Sequence, residues 1–353
     1  KSDPRRVRAA ILYTMYSIEQ SAGDCAVIRQ RLLEDTNKLL VIADRDVDSA
    51  IDLLLDQGDL VSSNIGGRDT LMRASVLEAE EEVAMRLVDL CDSRDLLDNM
   101  DDLFLTAVEE LNIPPLDIGQ SDAVKTAMSA GVSVVTGNPG TGKTSSVSTL
   151  LWMLRRQTPD LVIQLAAPTG RAARRMTEQS GFEALTIHRL LGVSPQVRGF
   201  LHNEENPLEC DVLVVDEASM LTLFLFRDIL RALKPGTRLI LVGDIDQLPS
   251  VGIGSVLSDV ISSGVVPVGR LTKIFRQGAG SGIALSCAKI NRGIIPPAVR
   301  PNRQLDFWLN NYDSADDVAD SIVRMVSMSM QPMGFDPIKD VQVLVPGHNG
   351  SCG

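Results

Sequence analysis

The sequence has no apolar run near the roughly 18 residues that a membrane-spanning helix needs. Its first ten residues, KSDPRRVRAA, also lack the apolar segment of a secretory signal peptide. The five cysteines include no C-x-x-C pair, and the three histidines do not join them at metal-ligand spacing. These absences argue against a membrane protein, a disulfide framework and a zinc site. They predict reduced cysteines and a cytoplasmic protein.

A surplus of basic residues is missing as well. Residues 1–110 contain 12 lysines and arginines against 24 aspartates and glutamates, whereas residues 111–353 contain 22 of each sign. Because nucleic-acid-binding surfaces are usually basic, the acidic segment is not expected to hold DNA by charge. We expect it to contact a protein partner instead. The neutral remainder leaves room for a local basic track.

Hydrophobic periodicity predicts a helical N-terminal domain over residues 1–110. Apolar residues recur near every 3.6 positions in residues 5–18 and 28–42, and a third helix ends at Gly58. Two short strand-like stretches then flank Gly66-Gly67, which is typical of a hairpin. Three helices and a hairpin predict a winged-helix-like unit. Such units bind DNA or pack against partners, and the acidity favours packing.

The remaining chain predicts a different architecture. A Glu-rich helix over residues 74–91 is expected to be exposed, and Pro114-Pro115 marks a domain boundary. Four short apolar strands then alternate with helices: VSVVTG, LVIQLAAPTG, DVLVVDEAS and RLILVGD. This alternation predicts a parallel sheet with helices on both faces and a site at the carboxyl ends of its strands. We assign residues 111–266 to one domain and 267–353 to the start of another.

The stretch VVTGNPGTGKTSS contains a phosphate-binding loop. It matches G-x-x-x-x-G-K-[ST] from Gly137 to Thr144 and lies between a predicted strand and a predicted helix. The glycines let backbone N–H groups face phosphate, Lys143 can reach the β- and γ-phosphates, and the Thr144 hydroxyl can bind Mg²⁺. The predicted nucleotide-binding residues of this loop are Gly137, Asn138, Pro139, Gly140, Thr141, Gly142, Lys143, Thr144 and Ser145.

Two adjacent carboxylates end the strand of VLVVDEAS. Asp216 is predicted to bind the metal ion together with Thr144, and Glu217 is predicted to orient or deprotonate an attacking water. Paired acids after a strand can also be plain solvated residues, but the phosphate loop in the same chain favours catalysis. The pair indicates hydrolysis of the nucleotide and argues against a kinase.

A third motif, LVGDIDQLPSVGIGS, places Asp244 and Gln247 in a tight loop, where Gln247 can bond a γ-phosphate. G-D-x-x-Q-L-P resembles the third motif of superfamily 1 helicases. With GNPGTGKT, APTGRAARRM, TIHRLL, VVDEASM and IFRQ in order, nearly the whole chain resembles the RecD family. That family comprises the helicase alpha subunit of exodeoxyribonuclease V and its stand-alone relatives, and the N-terminal segment resembles the stand-alone form.

The resemblance implies two RecA-like P-loop NTPase domains that use ATP and Mg²⁺. It implies that they move 5′→3′ on single-stranded DNA and separate strands at single–double-strand junctions, in recombination or repair. It implies that Gln120 reads the adenine and that Arg276 reaches the γ-phosphate from the second domain. It also implies that three residues contact the DNA backbone: Thr169, Gly170 and Arg171. The neighbouring Arg174 and Arg175 are equally well explained as a solvated helix face.

In the family, a short hairpin at the place of residues 193–207 splits the duplex. Gly199 fits its turn, and Phe200 and His202 could stack on bases. A plain surface loop is the other interpretation of this segment. His188 is typical of the family, and we expect it to be packed or hydrogen-bonded.

Three expectations concern the protein as a whole. We expect a monomer that begins before Lys1, because the first residue is not Met, and that continues past Gly353, because the family's last two motifs are missing. For this chain alone we expect ATP binding with weak hydrolysis, and for a longer protein full helicase activity. One alternative is a phosphate-loop ATPase that remodels proteins, which Gln247 and Arg276 in one chain argue against. The other is an ATP-binding scaffold subunit of a repair nuclease, docked through the acidic N-terminal domain.

Overall fold

The chain divides into two units, Lys1–Arg276 and Gln277–Gly353. The computed structural model describes residues 3–40, 44–91, 100–193, 199–273, 275, 281–296, 306–345, 347 and 350–351. Within these residues, no helix is both long enough and apolar enough to cross a bilayer. The first unit contains a small helical region followed by a six-stranded sheet.

Three helices and a three-stranded antiparallel sheet, ordered β1-β3-β2, pack around one core at the N-terminus. Their bounds are Pro4–Ala22 (α1), Val27–Ile28 (β1), Arg29–Leu40 (α2), Asp44–Asp56 (α3), Leu60–Ile65 (β2) and Arg68–Arg73 (β3). The two central residues of the hairpin, Gly66 and Gly67, have φ of 60° and 79°, which a tight two-residue turn requires. The predicted winged-helix-like unit is confirmed, and β1 is an addition that the sequence did not indicate.

The Glu-rich helix α4 (Ala74–Leu90) is not simply exposed, as the sequence suggested. Val76, Ala79, Val83 and Leu87 recur every three or four residues and bury one face in the core of the large sheet. The opposite face meets solvent and carries acidic residues together with the exposed Met85 and Val88. The helix therefore joins the N-terminal region to the sheet.

The six strands of the large sheet are all parallel, in the order β6-β5-β7-β8-β4-β9. Their bounds are Val132–Gly137 (β4), Ile163–Ala167 (β5), Ala184–Thr186 (β6), Val212–Val215 (β7), Arg238–Gly243 (β8) and Val268–Leu271 (β9). The four predicted strands are confirmed. The short strands β6 and β9 were not predicted, and β9 extends the first sheet beyond the expected boundary at residue 266.

Helices cover both faces of this sheet, as predicted. Alternate residues of β7 illustrate why: Leu213 and Val215 enter one apolar cluster, and Val212 and Val214 enter the other. The helices are Met100–Glu110 (α5), Ile118–Met128 (α6), Lys143–Gln157 (α7), Gly170–Ser180 (α8), Ile187–Leu191 (α9), Leu223–Arg231 (α10) and Val256–Ser263 (α11). Because Met100 and Phe104 of α5 pack with α7, that helix belongs to the sheet domain and not to residues 1–110.

The described part of the second unit is helical. It contains Gly282–Asn291 (α12) and Ala315–Arg324 (α13), followed by a π-helical turn at Met325–Ser329 and a 3₁₀ turn at Gln331–Met333. Ser314 caps α13 by accepting the Asp317 N–H at 3.2 Å. Residues 341–345 form neither a helix nor a strand. A second RecA-like domain from residue 267 stays a prediction.

Candidate active site

The phosphate-binding loop connects β4 to α7 at the carboxyl edge of the sheet. Gly140 and Gly142 have φ of 84° and 82°, which side chains rarely adopt. A Cβ on Gly137 would lie 2.6 Å from the Leu271 carbonyl oxygen, so this strand end also requires glycine. The glycines thus bring the loop directly to the first turn of α7, whose unpaired N–H groups and dipole attract phosphate.

The side chain of Lys143 contacts the backbone of the phosphate-binding loop. Its Nζ donates to the carbonyl oxygen of Gly137 and, at 3.4 Å, to that of Asn138. Burial lowers the pKa of Lys143, while the negative charges of Asp244, Glu217 and Asp216 oppose that shift. The cation is therefore held near three carboxylates without a direct ion pair to any of them within 4 Å.

Asp216 and Glu217 follow β7 at the same edge of the sheet. The Glu217 N–H donates to Asp216 Oδ1 at 2.8 Å, and Glu217 has a φ of 51°, an uncommon backbone conformation for a glutamate. Burial raises the pKa of both carboxyls, and the charge of Asp216 raises that of Glu217 further. A carboxylate with a raised pKa is a better proton acceptor than an ordinary glutamate.

Asp244 shapes the loop after β8. It is only 1% exposed, and its Oδ1 accepts the Asp246 N–H at 3.0 Å. Its Oδ2 accepts from Gln247 Nε2 at 3.4 Å, so the amide of Gln247 is tethered although the residue is exposed. Because β8 lies between β4 and β7, this loop lies between the phosphate loop and the paired acids.

One cavity of about 560 Å³, a size typical of small-ligand sites, brings together most of the residues predicted to bind or hydrolyse the nucleotide. The predicted residues that line it are Pro139, Gly140, Gly142, Lys143, Thr144, Ser145, Asp216, Glu217 and Gln247. Three other predicted loop residues do not line the cavity: Gly137, Asn138 and Thr141. Thr141 is buried, and its hydroxyl donates to the Asn138 carbonyl oxygen at 2.8 Å.

Gln120 is outside this lining and has a structural task. Its Oε1 accepts the Asp117 N–H at 3.0 Å, which completes the capping box of α6. Its Nε2 donates to the Thr141 carbonyl oxygen at 3.3 Å, and the whole residue is 5% exposed. The side chain therefore ties α6 to the phosphate loop, and adenine recognition by Gln120 stays a prediction.

The residues predicted to contact DNA lie at the start of α8 and near a short hairpin. Thr169 caps α8, because its hydroxyl accepts the Ala172 N–H at 3.2 Å, and Gly170 and Arg171 are exposed beside it. This end of α8 follows β5 and therefore shares the carboxyl edge of the sheet. Thr169 thus performs a local structural role in addition to the one predicted for it.

The predicted hairpin is described only in part, since residues 194–198 lie outside the described residues. Val193 pairs with Phe200 in an antiparallel bridge, and the His202 N–H donates to the Leu191 carbonyl oxygen at 2.9 Å. Phe200 packs on the core and meets His188 edge-on, with ring centroids 5.7 Å apart. His188 is exposed, and its edge-on contact with Phe200 agrees with the expectation that it is packed.

Arg276 also lies outside the described residues, and its predicted role stays a prediction. Ten other described residues line the cavity without having been predicted to do so, among them Arg175, Gln179 and Phe275. Gln179 Oε1 accepts from the Thr144 hydroxyl at 3.2 Å, and the Phe275 N–H donates to the Gly140 carbonyl oxygen at 2.8 Å. The four-residue spacing from Arg171 to Arg175 to Gln179 could have indicated a shared helix face.

Known proteins resemble this chain along the same segments. A family model described as an AAA domain matches residues 120–253. The "ATP-dependent RecD2 DNA helicase" of Deinococcus radiodurans is 30% identical over 99% of this chain and 48% of its own length. The "RecBCD enzyme subunit RecD" of Mycolicibacterium smegmatis is 42% identical over 48% of this chain and 35% of its own length.

The same subunit of Haemophilus influenzae is 43% identical over 40% of this chain and 26% of its own length. The chain thus spans about half or less of the curated relatives that it matches. The ordered motifs, the parallel sheet and these likenesses agree with one another. Along these segments the chain is similar to RecD helicase subunits and to a RecD2 helicase.

Proposed function

We propose that this chain hydrolyses ATP to move along single-stranded DNA and separate DNA strands in recombination or repair. One observation carries the proposal. A single cavity at the carboxyl edge of a parallel sheet is lined by a phosphate-binding lysine, a hydroxyl, two acids and a tethered glutamine. These are the groups that ATP hydrolysis needs in proteins of the phosphate-loop class.

The cavity also fits a magnesium ion. Thr144 and Asp216 offer oxygen ligands from one wall, and Mg²⁺ prefers one or two such ligands plus phosphate oxygens. In this proposal they hold the ion, which when bound neutralises charge on the phosphates. Glu217 then accepts a proton from the attacking water, for which its raised pKa suits it.

Gln247 would report the state of the terminal phosphate. Its amide bonds the buried Asp244 at 3.4 Å, a long hydrogen bond that a phosphate oxygen could replace. Arg276 would complete the site by stabilising charge on the transferred phosphoryl group. Gln120 would read the adenine only after releasing one of its bonds to the phosphate loop or to Asp117.

DNA would bind where α8 begins. Three groups there suit phosphate contacts: the hydroxyl of Thr169, the guanidinium of Arg171, and the backbone at Gly170, which DNA can approach closely. The hairpin that contains Phe200 and His202 would meet the single–double-strand junction. Travel is 5′→3′ in this proposal, by a monomer whose acidic N-terminal face contacts a protein partner. The cytoplasmic location stays a prediction.

A strand-separation assay tests the proposal. The chain is mixed with MgATP and a duplex bearing either a 5′ or a 3′ single-stranded tail, with Lys143→Ala as the inactive control. We expect ATP-dependent separation of the 5′-tailed duplex alone. Separation of only the 3′-tailed duplex would overturn the direction, and ATP binding without turnover or separation on either would favour a scaffold subunit.

A further inference from the structure

A polar stripe runs along α8 from its first turn to its last. Arg171, Arg175 and Gln179 are four residues apart and therefore share one face of the helix. Arg175 and Gln179 line the cavity, whereas Arg171 lies in the first turn beside the capping Thr169. One face of α8 thus extends from the proposed DNA-contacting end to the nucleotide cavity.

Arg175 is the second cation in the cavity wall, after Lys143. Among the described residues, no carboxylate lies within 4 Å of its guanidinium, although Asp216 and Glu217 line the same cavity. Arginines in polar sites normally pair with an acid or bind a ligand anion, because the planar guanidinium matches carboxylate and phosphate oxygens. An exposed, unpaired arginine at a phosphate site indicates a contact that the ligand supplies.

The position of Arg175 indicates which phosphate it would meet. One turn further along, Gln179 holds the Thr144 hydroxyl, the proposed magnesium ligand, at 3.2 Å. Arg175 also lines the same cavity as Asp216 and Glu217. This face of α8 therefore lies beside the proposed magnesium ligand Thr144 and shares the cavity with the paired acids.

We infer that Arg175 binds the terminal phosphate of ATP from within the first unit, in addition to Lys143. The inference rests on the proposed ATP site and deepens it. Since Arg171 lies on the same face one turn earlier, α8 would transmit the loss of that phosphate to the DNA-contacting end. Arg175 would then distinguish ATP from ADP by a charge-assisted hydrogen bond.

Nucleotide binding by the whole 353-residue chain tests this inference without requiring turnover. Fluorescent analogues of non-hydrolysable ATP and of ADP are titrated, with Mg²⁺, into the parent and three variants: Arg175→Ala, Arg175→Lys and Arg174→Ala. Arg174 is the matched control, because it is an exposed arginine on the same helix that does not line the cavity. Thermal melting without nucleotide checks that each variant folds.

We expect Arg175→Ala to weaken binding of the ATP analogue about 10-fold, the usual size of a charge-assisted hydrogen bond. Affinity for ADP should change less than about twofold, since ADP lacks the contacted phosphate. Arg175→Lys should fall between the two, because lysine keeps the charge but not the planar fork. Arg174→Ala should bind both nucleotides like the parent.

Three results would overturn the inference in distinguishable ways. Equal weakening of ATP and ADP would place Arg175 on an inner phosphate. No change in Arg175→Ala, with Lys143→Ala losing affinity, would remove the inference and leave the ATP site intact. A parent chain that binds neither nucleotide would overturn the proposed function and the inference together.

Discussion

Acidic side chains have opposite surroundings in two regions of this molecule. Where α4 meets α10, Glu82 receives two bonds from Arg231, at 2.7 and 2.5 Å, and one from Arg86 at 2.8 Å. These bonds hold the pKa of Glu82 below its ordinary value. In the cavity, no arginine of the described residues lies within 4 Å of Asp216 or Glu217, and burial raises both pKa values.

The difference separates structural acids from functional ones. The carboxylate at the junction is satisfied within the protein and helps to hold two elements together. The cavity acids lose hydration without gaining a cationic partner within 4 Å, which a protein tolerates where a ligand supplies the missing charge. Each prediction below changes one side of this comparison.

Glu217→Gln should have the largest effect, because the cavity would lose its proton acceptor. We expect ATP turnover to fall about 100- to 1,000-fold, the range typical of a lost general base. ATP affinity should be retained or increased, since a negative charge near phosphate is removed. Steady-state turnover and nucleotide titration measure the two effects. Glu183→Gln, at an exposed glutamate outside the cavity, is the control.

Arg231→Ala should disrupt the junction and leave the chemistry in place. We expect the free energy of unfolding to fall by about 1–2 kcal/mol, a value reduced because the Arg231 side chain is partly exposed. Urea denaturation measures it, and a double-mutant cycle with Glu82→Gln isolates the pair. If the losses in free energy of unfolding add in that cycle, the contact contributes nothing. If ATP turnover falls as strongly as stability, the junction is connected to the active site.

The pH dependence of stability should have opposite signs in the two regions. Glu82 has a lowered pKa when folded, so it stabilises the fold above its unfolded pKa, and that stability is lost as pH falls through the folded pKa. Asp216 has a raised pKa, so folding takes up protons and stability declines as pH rises through its folded pKa. At neutral pH, Glu82→Gln should therefore melt below the parent and Asp216→Asn above it.

Both differences should shrink on acidification, because each parent carboxylate is then protonated like its amide replacement. Their size should be roughly 0.5–2 kcal/mol at neutral pH. Thermal melting at several pH values measures them. If Asp216→Asn melted below the parent at neutral pH, the cavity acids would be structural, and the comparison would fail.

Sequence patterns predicted the parts of the fold that local chemistry determines. The four predicted strands and their loops could be predicted, because each is an apolar run followed by glycines or acids at the carboxyl edge. The three-residue β6 and the four-residue β9 were not predicted, since β6 is very short and β9, VGRL, has a glycine and an arginine in place of an apolar run. The buried face of α4 was hidden by its glutamates.

The common position of Lys143, Asp216 and Gln247 in one cavity could be predicted from the motifs, while their chemical roles stay predictions. It was not predictable where one residue type serves two purposes. Arg175 on a helix cannot be told from a solvated arginine until α8 is placed against the cavity. The sequence does not indicate that Gln120 bonds the Thr141 carbonyl oxygen, because tertiary packing creates that contact.

DNA-stimulated ATP turnover tests the central claim most directly, namely that one cavity couples ATP hydrolysis to DNA. Turnover is measured with and without single-stranded DNA at about 50 and about 200 mM salt, a range over which phosphate contacts weaken strongly. We predict clear stimulation at low salt that fades at high salt and disappears in Glu217→Gln. Turnover that ignores DNA at both salt concentrations, with ATP bound, would contradict the claim.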